Sequence, residues 1–264
     1  MTKSKIQNKS KIQISKLIFL FLITFICATE FIFALDDGLS TAFDKANEFY
    51  QQGKHDEAIA EYSKILEGGF ESGNLYYNLG NAYFKKNELG KAVLNYERAK
   101  RLIPRDKDLE SNYAYAKSLM KREVEEPKKI WVLRVIDSFF RQLTVDGLSI
   151  FLSVIYILFV ITVILTTVLK TSKVKSYVTL AMLAAIFTIG AFEFGDRTAL
   201  SNKEAVIVQE KIDAKFEPAD RATTHFTLYE GNPVRIISDR QGWFKIKRAD
   251  GKIGWVASDT LEII

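Results

Sequence analysis

The side chains that most often carry covalent or metal chemistry are scarce in this 264-residue chain. It has one cysteine, Cys27, inside an apolar run, and two histidines, His55 and His225, far apart in sequence. A single thiol forms neither an intramolecular disulfide nor a CxxC redox pair, and two distant imidazoles do not make a zinc set. No motif marks a hydrolase, no cofactor is expected, and the chain is read as a non-enzyme. What remains is recognition chemistry. One group of aromatic and amide side chains, Phe43, Asn47, Tyr50, Tyr77, Asn78, Asn81 and Phe84, falls in a region of helical periodicity. A second, Trp243 and Trp255, falls among alternating β-type residues, where the indoles suit either ligand contact or strand-capping core positions.

Charge narrows the partner class. The formal charge is +5 and the pI near 9.0, but the excess sits at the extreme N-terminus, on Lys3, Lys5, Lys9, Lys11 and Lys16. Residues 40–127 carry 14 basic and 15 acidic side chains, and residues 201–264 carry 10 of each. Neither region has the net basicity that phosphate neutralisation requires, so no nucleic-acid partner is expected.

Three apolar runs imply a lipid bilayer. Residues 1–34 have a lysine-rich start and an apolar stretch, the pattern of a signal peptide, either cleaved after Ala34 or retained as an anchor. Residues 148–169 give 22 positions without a charge, and the shorter run 177–192 is completed to a span over 176–194, with Glu193 at headgroup level. Between them, residues 170–175 carry Lys170, Lys173 and Lys175 and no acid, which predicts a cytoplasmic loop. The flanking regions then share the extracytoplasmic, periplasmic side of the inner membrane. Over 130–146, Val132, Val135, Ile136, Phe139, Phe140 and Leu143 recur at helical spacing, predicting an amphipathic juxtamembrane helix. Its apolar face lies in the headgroup plane, with Trp131 as anchor, or packs on the repeats or a partner.

Residues 39–121 have a 34-residue period. Ala46, Phe49, Ala58 and Tyr62 are followed by Gly80, Tyr83, Ala92 and Tyr96. This resembles the tetratricopeptide-repeat (TPR) family, and the second repeat, with Leu79, Ala99 and Pro104 also in place, matches better than the first. The resemblance implies an α-solenoid of two repeats, with Asp108–Met120 as a solvating cap, and a concave groove lined by the seven aromatic and amide residues named above. Asn47 and Asn78 match asparagines of the family's carboxylate clamp, whose basic positions are occupied here by Phe43, Asp108 and Asn112.

From residue 203 to 264 short alternating strands are separated by DRQG and RADG turns. Glu230, Gly231, Val234 and Ile236, then Gly242, Trp243, Lys245 and Ile246, then Asp250, Gly251, Lys252, Gly254, Trp255 and Val256, resemble the recurrent motifs of bacterial SH3-like domains. That implies an all-β barrel, some of whose relatives bind cell-wall peptides.

The order of signal, TPR repeats, two transmembrane helices and SH3-like domain resembles the BatE-type proteins of bacterial aerotolerance operons. The resemblance implies a multidomain membrane scaffold of the cell envelope, with membrane-anchored von Willebrand A-type Bat proteins as partners and a link to stress tolerance. The alternative function is peptidoglycan binding or sensing through the SH3-like domain.

Overall fold

A computed structural model describes residues 38–120, 130–168, 173–200 and 203–264. The expected signal segment with Cys27, and residues 170–172 of the expected loop, lie outside the described residues. The chain divides into two units, Met1–Phe70 and Glu71–Ile264.

In the first unit, helical residues 38–51 (α1) and α2 (His55–Glu67) form a helix pair. Ala46, Ala58 and Tyr62 are fully buried, as expected of small residues that let two helices approach and an aromatic that fills the gap. The turn passes through Gly53 at φ +76°, a left-handed conformation that costs glycine nothing.

In the second unit, α3 (Gly73–Lys85) and α4 (Leu89–Leu102) form the better-matched repeat. Ser72 caps α3 by accepting the Leu75 N–H at 3.1 Å. Asn87, at φ 60°, makes the same left-handed turn as Gly53, 34 residues earlier. Gly80 has a packing role: a Cβ there would lie 2.7 Å from the ring carbons of Tyr96. The next helix, α5 (Lys107–Ser118), is capped by Asp106 and buries Leu109, Tyr113 and Ala116 against the repeat. In the segment expected as a solvating cap over Asp108–Met120, Met120 is buried, with the glycine turn at Gly231 packed against its thioether.

Helix α6 (Trp131–Arg141) is shorter than the expected 130–146. Gln142–Thr144 turn the chain, and Thr144 Oγ1 accepts the Gly147 N–H at the start of α7 (Val145–Val168), at 3.0 Å. Helix α8 (Lys173–Leu200) packs beside α7. Val145–Thr166 and Ser176–Thr198 are long and apolar enough to cross a membrane, and almost nothing in the protein covers them: Ile150 is 65% exposed and Phe192 73%. The second run, which reads as short, thus belongs to a 28-residue helix. Lys173 and Lys175 are in its first turn and not in a loop, since nothing in Lys-Val-Lys stops a helix.

The β-domain is one antiparallel sheet in the order β3-β2-β6-β5-β4-β1-β7. Its strands are β1 (Glu204–Ile207), β2 (Lys211–Lys215), β3 (Thr224–Tyr229), β4 (Pro233–Arg240), β5 (Trp243–Arg248), β6 (Ile253–Ala257) and β7 (Leu261–Ile263). Leu228, Ile246, Val256 and Ile207 anchor its core. Gln241 and Gly242, both at positive φ, form the two-residue hairpin between β4 and β5.

Candidate protein-interaction site

Three of the seven predicted groove residues are on α1 in the first unit, all half-buried. Phe43 packs against Tyr62 at 5.9 Å between centroids, Tyr50 against His55 at 5.4 Å, and Asn47 Oδ1 accepts the Tyr62 hydroxyl at 2.6 Å.

The other four are on α3 in the second unit, also half-buried, and α5 joins them there. Asn112 Nδ2 donates to the Tyr77 hydroxyl at 2.8 Å and to Asn81 Oδ1 at 3.0 Å. Tyr96 OH donates to the same Asn81 oxygen at 2.7 Å. That oxygen is then saturated, while no acceptor among the described residues takes the Asn81 Nδ2 protons. The amide is held by its oxygen, and its Nδ2 protons are left to donate to an acceptor. Phe84 packs on Tyr115 of α5 at 5.7 Å, and Tyr115 is 59% exposed. Sequence reasoning missed Tyr115, which stands 34 residues after Asn81; that repeat spacing was the available signal. The tyrosine-to-asparagine bond repeats too: Tyr62 to Asn47 and Tyr96 to Asn81 are the same pair, 34 residues apart. Asn81, rather than Asn78, is therefore the repeat equivalent of Asn47.

A second set of residues, unmarked by motif reading, joins α4 to the β-domain. The Gly90 N–H, at the start of α4, donates to Glu230 Oε2 at 3.1 Å, so a carboxylate meets the positive end of the helix. Farther along, Arg101 donates to Glu204 Oε2 and to the Ile264 carbonyl oxygen, both at 2.8 Å, and Arg98 to the Ile263 carbonyl at 2.6 Å. These arginines cover the edge strand β7, whose carbonyls would otherwise be open to another chain. Arg98 also lies over the buried Tyr76 ring, whose hydroxyl pKa is pushed up to about 12 by burial and a hydrogen bond with Glu71.

Trp243 and Trp255 are outside the β-domain core. They alternate along their strands with the buried Ile246 and Val256, and are half-exposed on the outer face. Each carries a lysine ammonium over its ring, Lys215 at 5.6 Å from Trp243 and Lys245 at 5.8 Å from Trp255. At the β5–β6 turn Arg248 grips Asp250 through two bonds, of 2.9 and 2.6 Å. The guanidinium holds that carboxyl down at about 2.

No group of three His, Cys, Asp or Glu side chains among the described residues is placed to hold a metal ion. Comparison with known families finds two matches. A family model described as a tetratricopeptide repeat matches residues 73–106, which hold α3 and α4, and one described as a bacterial SH3 domain matches residues 217–262. No curated protein matches the chain. The chain thus combines a repeat of a protein-interaction type with a β-domain of a type that suggests cell-wall binding, and two helices fit to cross a membrane.

Proposed function

We propose that this protein is a non-catalytic scaffold of the bacterial cell envelope, held in the inner membrane by α7 and α8, and that its repeat surface binds a segment of a partner protein. The observation that carries the reading is the α3–α5 surface, where Tyr77 and Phe84 flank an amide fixed by Tyr96 and Asn112. Aromatic anchors around a pre-oriented side-chain amide donor suit an extended or helical segment. Without basic side chains at the clamp positions, a C-terminal carboxylate is not its target. The contacts of α4 with the β-domain support placing both modules on one side of the membrane. The bond from the Gly90 N–H to Glu230 favours a chain that returns after α8 to the face it left before α7. The positive-inside tendency makes that face extracytoplasmic.

The resemblance to BatE-type proteins directs the first test at membrane-anchored von Willebrand A-type Bat proteins. Tyr77→Ala with Phe84→Ala is expected to abolish their co-purification from crosslinked membranes while the thermal transition stays near that of the parent. Unchanged co-purification would remove the repeat surface from the function. A second reading, peptidoglycan binding through the SH3-like domain, has the family match behind it, and sedimentation with purified cell wall separates the two.

A further inference from the structure

Residues 201–264 are balanced in charge, but the strand register gathers five of the cations on one side. On the outer side of the sheet, Arg235 is paired across strands with Lys247, Lys245 with Trp255, Trp255 with Lys215, and Arg240 with Trp243. Five cations and two indoles therefore share one face. Asp213 shares the outer side of β2 with Lys215, whereas Asp239 pairs with Phe244 on the other side of the sheet and several other acids are engaged. Glu204, at the rim beside Arg235, is taken by Arg101, and Glu230 bonds to the α4 N-terminus. Glu262 lies near Arg98, Asp250 is gripped by Arg248, and Asp213 accepts the Thr227 hydroxyl. No described carboxylate forms an ion pair with any of the five outer cations. The β-domain thus uses Glu204, Glu230 and Glu262 against α4, while β2, β5 and β6 carry cations and both indoles on one side of the sheet.

We infer that this outer face docks an extended acidic segment of a partner protein, with carboxylates at alternate residues. Lys245 and Lys247 are two residues apart on β5, so they repeat about every 6.8 Å. An extended acidic peptide laid along β5 repeats its alternate carboxylates at the same interval, and Arg235 and Lys215 on the neighbouring strands flank that row. The indoles beneath Lys215 and Lys245 hold the ammonium groups and keep water from one side of each pair, which strengthens the attraction. The exposed Ile253 and the bulged Ile237 border the row and supply apolar contact for the residues between the acids. This surface is separate from the α3–α5 surface, so the two proposals fail independently.

The test uses the full chain in neutral detergent and a fluorescein-labelled peptide of alternating Glu and Ser, followed by anisotropy. The peptide is expected to bind, and to weaken about tenfold or more between low and physiological salt. Lys245→Glu with Lys247→Glu is expected to lower affinity at least tenfold. Lys245→Gln with Lys247→Gln should lower it less, and Lys107→Glu on α5 should leave it unchanged. An unaltered thermal transition in each variant separates lost binding from lost fold. Absence of peptide binding, or binding that survives the charge reversal, overturns the proposal. So does equal or tighter binding of polyphosphate or phosphatidylglycerol vesicles with the same dependence on Lys245 and Lys247, because the face would then be a general anion or membrane surface.

Discussion

Gly90 is the second residue of α4, where a helix former would serve the helix itself better, yet a Cβ at this position would lie 2.9 Å from the Ile207 carbonyl oxygen and 3.0 Å from the Val208 Cα. The clash is with backbone, which yields less readily than a side-chain tip. Gly90→Leu is expected to cost about 1–3 kcal/mol and to separate the β-domain from α4, measured as a lower thermal transition and faster trypsin cleavage between the modules. Asp250 makes a different prediction. Its folded pKa is about 2, held there by Arg248, against about 4 in an unfolded chain. The stabilisation is therefore complete above pH 4 and lost as pH falls from 4 to 2. The pair is partly exposed, so its worth is about 1 kcal/mol. Asp250→Asn should lose that amount at pH 7 and flatten the acid limb of a stability–pH curve. An unchanged limb would show that the pair contributes nothing.

At the scale of elements, α6 is held to the hairpin at a corner. Phe140 is buried against Phe151 of α7, and Arg197 of α8 donates to the Leu143 carbonyl at 2.7 Å. Arg105, after α4, donates to the Gln142 carbonyl at 3.0 Å. The apolar side chains expected on one face are therefore divided. Phe140 is buried on the hairpin, whereas Trp131, Val135 and Phe139 remain exposed. Gly190 makes the close approach of α7 and α8 possible, since a Cβ there would lie 2.8 Å from Leu152 Cδ2 and 3.6 Å from the Phe140 ring. Gly190→Leu is expected to displace both helices and α6, at about 1–3 kcal/mol. Crosslinking between cysteines placed at Ser153 and Thr188 would report it as lost efficiency relative to the same pair on the Gly190 background.

For the whole molecule, the proposed placement of repeats and β-domain on one side of the membrane makes a topological prediction. In intact spheroplasts, added protease is expected to cut the soluble modules and to spare the short connection between α7 and α8. Cleavage confined to that connection would invert the orientation and remove the proposed envelope role. A further check uses Arg101→Ala, which removes the Glu204 ion pair and the bond to the Ile264 carbonyl. It should loosen the modules by about 1 kcal/mol without altering topology.

Much of this organisation is legible in the residue order, because the relevant signals are local. A 34-residue recurrence of small and aromatic residues specifies helix pairs, an uncharged run specifies a helix that lipid can solvate, and Gln241-Gly242 between alternating segments specifies a tight hairpin. The seven candidate positions are read from the same periodicity, because spacing alone determines which residues share a helix face. Contacts between segments far apart in sequence carry no such period. Nothing in the spacing shows that Gly90 leaves room for the Ile207 backbone, that Met120 meets Gly231, or that Asn112 returns to fix Asn81. Balanced composition also conceals how charge is arranged, since equal numbers of acids and bases can be mixed or segregated. Only strand pairing, which brings Arg235, Lys245, Lys247 and Lys215 onto one side while Arg101 takes Glu204 away, decided that this domain has a cationic face.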